Sequence, residues 1–119
     1  MAFIAVRTLA DGTAQTLGVV RALIDPDNID AEFAIIVRSD LKGRGLGQLL
    51  MRKMIAFLTL RGTERMVGSV LRENSNMREL AQSTGFVVDV AKSDADALFV
   101  VLALPGSQAL SRKSLLTSF

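Results

Sequence analysis

Three glycines at alternate positions, directly before a helix pattern, constrain this chain more than any other feature. They stand in the segment Lys42–Gln48, which follows an apolar strand pattern at Ala31–Val37. Glycine lets a backbone take positive φ and approach a ligand closely. Main-chain N–H groups at a helix start attract anions, and Lys42 and Arg44 add positive charge. The segment therefore predicts a site for a phosphate-bearing ligand; the alternative is a connection that only permits close packing of the helix on the strand.

The common phosphate-binding motifs do not fit this segment. A Walker loop requires G-x-x-x-x-G-K-[ST], and the chain contains no such string. A dinucleotide fingerprint requires G-x-G-x-x-G, but counting from Gly43 puts Gln48 in the last position and counting from Gly45 puts Leu50 there. The preceding strands also read as antiparallel, whereas a dinucleotide fold needs βαβ crossovers. Both nucleotide-binding classes are excluded.

The apolar periodicity predicts an α+β domain with a mixed sheet and the element order βββ-α-β-α-ββ. The expected strands are Phe3–Val6, Thr16–Ile24, Ala31–Val37, Met66–Leu71, Phe86–Ala91 and Ala97–Leu104. Short turns join the first three, which favours an antiparallel meander, and the last two are expected to form a hairpin. Residues 1–106 should form the domain, and residues 107–119 a C-terminal tail.

Both expected helices carry start and stop signals. The longer helix has an apolar stripe of Leu46, Leu50, Met54 and Leu58, widened by Leu49 and Ile55. It ends at Arg61 and Gly62, a cation followed by a glycine. The shorter helix, Met77–Ser83, follows the capping signal Asn74-Ser75 and ends before Gly85.

The composition removes several kinds of chemistry. The 119 residues include no His, Cys, Trp or Tyr, which excludes Ser/His/Asp and Cys/His nucleophiles, disulfides and the usual zinc or copper sites. We therefore expect no bound metal. The net charge is only +2, from 14 basic and 12 acidic side chains, and the charges are interspersed, so we expect no nucleic-acid partner. No apolar run approaches the roughly 20 residues of a membrane span, and no signal peptide is recognisable, so a cytoplasmic protein is expected.

Two motifs together resemble those of the GNAT superfamily of N-acetyltransferases. That family's acyl-CoA-binding motif is written [QR]-x-x-G-x-[GA]; here Gly45 and Gly47 fill the glycine positions and Lys42, a departure that keeps a cation, fills the first. Asn74 lies eleven residues before Gly85-Phe86, the spacing of the family's N-x(10)-G-F element. The resemblance covers roughly residues 3–104. It is closest to the C-terminal acetyltransferase domain of bacterial protein-lysine acetyltransferases, on the strings AEFA, VRSDL and LREN.

The resemblance implies acetyl-CoA as cosubstrate and assigns its binding residues. Coenzyme A would enter a cleft where the strands Ala31–Val37 and Met66–Leu71 separate. Main-chain groups of Ile36, Val37 and Arg38 would pair with the pantetheine arm, and Asn74 would contact that arm from the far side. The pyrophosphate would be held by Lys42, Gly43, Arg44, Gly45, Leu46, Gly47 and Gln48.

The resemblance also implies a direct transfer of the acetyl group to a primary amine, expected to be a protein lysine, in a ternary complex. An amine with a pKa of about 10.4 is neutral in only about one molecule in two thousand at pH 7, so a base is needed. Glu32 is the candidate because it resembles the family's strand glutamate; the alternative is an edge-strand or ion-paired carboxylate. Many members carry a Tyr general acid where this chain has Ala81, so water or the acceptor's own proton would protonate the leaving thiolate.

The chain begins at what resembles the family's second strand. The usual first strand and two helices, which wall one side of the acceptor site, are absent from this sequence. We therefore expect a fused partner or a homodimer to cover that side. Two alternatives to an enzyme stay open: a non-catalytic acyl-CoA-binding regulatory module, and a structural domain with no ligand.

Overall fold

The computed structural model describes residues 1–41 and 45–105. Within these ranges it contains one six-stranded sheet and two α-helices. The strands are β1 (Ala2–Thr8), β2 (Ala14–Ile24), β3 (Asp30–Val37), β4 (Arg65–Leu71), β5 (Val87–Asp89) and β6 (Ala97–Ala103); the helices are α1 (Leu46–Arg61) and α2 (Ser75–Ser83). Short 3₁₀ turns occupy Ser39–Leu41 and Val90–Lys92. The predicted α+β class and element order are confirmed.

The sheet combines antiparallel and parallel pairing in the spatial order β1-β2-β3-β4-β6-β5. The strands β1, β2 and β3 form the expected antiparallel meander. β3 then pairs with β4 in parallel, because α1 carries the chain back across the sheet before β4 begins. β6 lies between β4 and β5 and is antiparallel to both.

One face of the sheet packs against the helices and forms the core. Along β3, Ala31 and Phe33 point into this core, while Glu32, Ala34 and Ile36 point to the opposite face. The buried side of α1 consists of Leu50, Met51, Met54 and Leu58. Leu49, expected to widen this stripe, is 53% exposed, because the buried arc turns toward Met51 instead.

The opposite face of the sheet is rich in exposed apolar side chains. Ile4, Val19 and Ile36 are neighbours in successive strands, as are Leu23, Glu32 and Val67. Leu23 and Ile36 are exposed to about three quarters, 76% and 75%. We call this surface the open face. On this face Glu32 stands between the apolar side chains of Leu23 and Val67, and Asp30 and Arg21 lie on the same face.

The expected strand Phe86–Ala91 is shorter in the structure. β5 ends at Asp89, whose side chain accepts a hydrogen bond from the N–H of Ala91 at 3.1 Å and so starts the 3₁₀ turn. An Asp side chain that binds the backbone two residues ahead favours a turn over a strand. No helix in the described ranges is long and apolar enough to cross a membrane.

Phe33 packs so closely on Gly68 that a larger side chain at position 68 should destabilise the protein. A Cβ added at Gly68 would lie 2.6 Å from Cε1 of Phe33, and the ring is held in place by Phe86. We therefore expect Gly68→Ala to lower the free energy of unfolding by about 1–3 kcal/mol, the usual cost of overpacking, in urea titrations. Ser69→Ala, at the exposed neighbouring position, is the control and should change it by less than about 0.5 kcal/mol. Equal stability of the two variants would contradict this packing.

Candidate functional site

The site begins where β3 and β4 stop pairing. The two strands are joined over only three positions, Asp30 with Arg65, Ala31 with Met66 and Glu32 with Val67. Beyond them β3 continues beside β2 to Val37, and β4 continues beside β6 to Leu71. A gap therefore opens in the middle of the sheet, with its closed end next to Glu32.

The hydrogen bonds between β2 and β3 decide which main-chain groups face this gap. The N–H of Asp25 donates to the carbonyl of Asp30 at 3.0 Å, and the N–H of Arg38 donates to the carbonyl of Leu17 at 2.9 Å. In an antiparallel pair, residues with groups turned toward the partner alternate with residues turned away. The even-numbered residues of β3 thus face β2, and the main-chain groups of Ile35 and Val37 face the gap.

This alternation turns the main-chain groups of two predicted contacts toward β2 and away from the gap. Ile36 and Arg38 were assigned to a ligand together with Val37. The structure directs the N–H of Arg38 to Leu17, and Ile36 has the same parity. The side chain of Arg38 is also engaged, in a bidentate ion pair with Asp40 at 3.0 and 3.1 Å. Only Val37 of the three has main-chain groups facing the gap, and sequence reasoning missed Ile35 because the parity depends on the register with β2.

A cleft of about 690 Å³ continues from the gap to the start of α1. It is lined by Ile35, Ile36, Val37 and Leu41, by Gly45, Gly47 and Gln48 of the α1 start, and by Asn74, Asn76, Met77, Glu79, Leu80 and Ser83 of α2. Six of the sequence-predicted residues therefore lie around one cleft. Among described residues, Glu32, Arg38 and Leu46 are not in this lining, and Lys42, Gly43 and Arg44 lie outside the described residues.

The two described glycines at the start of α1 have different roles. Gly45 adopts a left-handed conformation with φ +83°, and within the described part of the chain no atom lies within 4 Å of the place where a Cβ would stand. No side chain in the described ranges caps the helix there, so the first-turn N–H groups are not occupied by a capping side chain. At Gly47, an added Cβ would lie 3.2 Å from Cδ2 of Leu80 and 3.9 Å from Cγ2 of Val37. Gly47 thus permits close packing of α1, α2 and β3, while Gly45 turns the chain into the helix.

A side-chain contact fixes the start of α1 against the end of α2. Nε2 of Gln48 donates to Oγ of Ser83 at 3.0 Å, and that hydroxyl donates to the carbonyl of Leu80 at 2.9 Å. The two residues are 35 positions apart, so no local sequence signal pointed to their contact. It joins the two helices at this end of the cleft.

Asn74 is held in one orientation by the helix that it caps. Its Oδ1 accepts a hydrogen bond from the N–H of Met77 at 3.1 Å, which satisfies one of the first-turn donors of α2. Because the oxygen is used in the cap, the amide nitrogen Nδ2 is the group that can donate to a molecule in the cleft. Asn74 therefore both caps α2 and lines the cleft.

Glu32 lies on the open face at the last paired position before the gap. The described residues 1–41 and 45–105 contain two ion pairs, Arg38 with Asp40 and Arg65 with Asp30, and neither uses Glu32. Nε of Arg65 donates to Oδ1 of Asp30 at 2.7 Å, and this hydrogen bond, with the adjacent charge, raises the pKa of Arg65. The nearest cation along β4 is thus engaged by Asp30, and Glu32 is an exposed carboxylate with Leu23 and Val67 beside it and Arg21 diagonally across on β2.

Comparison with known proteins decides the family. The model of the acetyltransferase (GNAT) family matches residues 2–86. The chain belongs to this family. The resemblance that the glycine segment and the Asn74 element predicted is confirmed. In the described ranges no group of three or more Asp, Glu, His or Cys is arranged to hold a metal.

Solved structures of this family have the same fold. The acetyltransferase of the GNAT family from Streptococcus pneumoniae is 20% identical, with a TM-score of 0.68 over 76% of this chain and 60% of that chain. The GNAT domain of PAT from S. lividans is 21% identical, with a TM-score of 0.67 over 76% and 58%. An N-acetyltransferase from Campylobacter jejuni in complex with acetyl coenzyme A is 28% identical, with a TM-score of 0.62 over 75% and 60%. The chain thus spans about three fifths of the length of the solved chains that it matches.

The cap at Asn74 predicts that the stability of the protein depends on a capping oxygen at this position. Asn74→Ala removes the acceptor for the N–H of Met77 and should lower the free energy of unfolding by about 1 kcal/mol. Asn74→Asp retains a capping oxygen and should stay close to the unsubstituted protein in the same urea titration. The assigned cap would be contradicted if both variants lost the same stability.

Proposed function

We propose that this chain is an N-acetyltransferase that moves an acetyl group from acetyl-CoA to a primary amine. The observation that carries the proposal is the gap between β3 and β4. It presents main-chain hydrogen-bonding groups of Ile35 and Val37 to a cleft that leads to the uncapped start of α1. An extended polar arm with a diphosphate at one end matches such a site, and coenzyme A has this form.

The diphosphate is assigned to the start of α1. The first-turn N–H groups of Leu46, Gly47 and Gln48 point out of the helix N-terminus, where the helix dipole favours an anion. The open space at Gly45 leaves room for close approach. The sequence supplies Lys42 and Arg44 next to this turn, and we keep them, with Gly43, as predicted contacts of the phosphates.

The pantetheine arm is assigned to the gap itself. An extended chain that lies beside β3 takes the place that a neighbouring strand would occupy, as in β-strand addition. Its amides would pair with the main-chain groups of Ile35 and Val37, while Nδ2 of Asn74 donates from the α2 side. The thioester then lies toward the closed end of the gap, next to the position where Glu32 pairs with Val67.

The reaction requires two deprotonations of the nitrogen and one good leaving group. The ammonium group first gives a proton to the carboxylate of Glu32, directly or through water. The neutral nitrogen then attacks the thioester carbonyl carbon, loses its second proton to water as the amide forms, and the carbon–sulfur bond breaks. A thiol has a pKa of about 8.5, so the thiolate leaves readily near neutral pH and takes a proton from water. A main-chain N–H at the gap stabilises the developing oxyanion. The buried Ala81 supplies no acid, and this step needs none.

The acceptor is proposed to be a protein lysine. The proposal is supported by the resemblance of the strings around β3 and α2 to protein-lysine acetyltransferases, together with the shared fold of the S. lividans PAT domain. The open face also supports a protein acceptor, because Leu23, opposite Glu32, and Ile36, farther along β3, expose apolar area. An amine that enters from this face meets the carboxylate before the thioester.

A second candidate function is a non-catalytic acyl-CoA-binding module. It is favoured by Ala81, which stands where many family members have a proton-donating Tyr and is buried in the core. The binding site would be the same, but no acceptor would be modified.

Glu32→Gln separates the two functions. Under the enzyme hypothesis, release of coenzyme A with lysine-containing peptides as acceptors should fall about 10²–10⁴-fold, while the affinity for acetyl-CoA in calorimetry stays unchanged. A thiol reagent can follow the release, because the chain has no cysteine to react. Glu64→Gln, an exposed position outside the cleft, is the matched control.

The possible results are distinct. Equal turnover of the Glu32→Gln and Glu64→Gln variants would remove Glu32 from the mechanism. Tight binding of acetyl-CoA with no release in the presence of any amine would support the non-catalytic module. No heat with acetyl-CoA would overturn both functions.

A further inference from the structure

The closed end of the gap is blocked by an aromatic ring. Phe33 is the first residue of β3 beyond the last paired position, and Gly68 is its counterpart on β4. If Gly68 carried a Cβ, that atom would lie 2.6 Å from Cε1, 3.0 Å from Cδ1 and 3.0 Å from Cζ of Phe33. The ring therefore crosses from β3 to β4 and covers the main chain of Gly68 on the helix side of the sheet.

This ring has little freedom to move. It packs against Phe86, with ring centroids 5.0 Å apart and an interplanar angle of 53°. Phe33 is only 7% exposed and Phe86 only 6%. Close-packed interiors resist the insertion of even one methylene group. The pair is thus a rigid wall, and it exists because β4 has a glycine at this position.

The ring lies just beyond the end of the cleft. Along β3 the lining runs from Val37 to Ile35, and Phe33 is the next residue of β3 whose side chain is on the helix side of the sheet. An arm that starts at α1 and follows β3 toward Glu32 would bring its far end to the ring after about 13 Å, the length of four strand residues from Val37 to Phe33. The group at that end is the acyl group of the thioester.

We propose that the ring of Phe33, seated on Gly68, is the end wall of the acyl site and selects acetyl over longer acyl groups. This inference rests on the proposed function, since it needs coenzyme A in the cleft. A two-carbon acyl group stops at the ring. Each further methylene must displace a ring held by Phe86, or turn toward the open face and fill the path of the amine.

Calorimetric titration with three probes tests this wall: coenzyme A, acetyl-CoA and butyryl-CoA. We expect the unsubstituted protein to bind the first two and to bind butyryl-CoA at least about tenfold more weakly than acetyl-CoA. Phe33→Leu shortens the wall and should reduce this ratio to within about threefold. Phe3→Leu is the matched control, because Phe3 packs edge-on against Phe57 elsewhere in the same core, with centroids 6.1 Å apart, and it should leave the ratio unchanged.

The titration distinguishes a failure of the proposed function from a failure of the proposed end wall. If the unsubstituted protein binds none of the three probes, the proposed function itself is wrong, and the end wall falls with it. If it binds all three with equal affinity, coenzyme A occupies the cleft but Phe33 is not the wall. An unchanged ratio in Phe33→Leu, or an equal loss in Phe3→Leu, would likewise assign the selectivity to another residue. This comparison does not depend on knowing the acceptor.

Discussion

The separation of β3 from β4 is the constraint on which the rest of this structure depends. Each of the two strands is fully paired on its other side, β3 with β2 and β4 with β6. Their own parallel pairing ends at Glu32 and Val67. Buried main-chain groups need hydrogen-bond partners, so a strand that keeps one edge unpaired in the middle of a sheet is ready to bind an extended polar molecule. A ligand that supplies those partners becomes part of the sheet.

The other features of the site are consequences of that separation. Gly47 lets α1 approach α2 and β3, and the hydrogen bond from Gln48 to Ser83 joins the two helices at the helix end of the cleft. At the opposite end, the Phe33–Phe86 pair closes the gap over Gly68. Contacts between residues far apart in the chain therefore lie at the helix end of the cleft and at the closed end of the gap. Glu32 lies beside the closed end of the gap but on the open face, and under the proposed function this places the acceptor amine on the side of the sheet opposite the cofactor cleft.

Much of this fold could be predicted from the sequence, because its signals are local. Apolar periodicity defined the strands and helices, and the glycine segment with the Asn74 element identified the family. The ends of elements were less certain: β5 stops at Asp89, since that side chain bonds to the backbone ahead of it. Leu49 also lies outside the buried stripe of α1. Single-residue differences of this kind depend on which side of the helix the sheet covers.

The sequence alone could name several residues around the cleft, but it could not give the register of β3 against β2. Six predicted residues surround the cleft, but the sequence could not say which main-chain groups of β3 face it. That parity follows from the bonds of Asp30 and Arg38 to β2. As a result the main-chain groups of Ile35, and not those of Ile36 and Arg38, face the gap. The aromatic wall was equally hidden, because nothing local relates Phe33 to Gly68.

Amide hydrogen exchange with and without acetyl-CoA tests the central claim most directly. If the arm of coenzyme A pairs with the unpaired edge of β3, the amides of Ile35 and Val37 should exchange at least about tenfold more slowly at saturating ligand. The amides of Ile36 and Arg38, which face β2, should change little. Unchanged exchange at Ile35 and Val37 under saturating acetyl-CoA would contradict the account, since the ligand would then bind without using the gap.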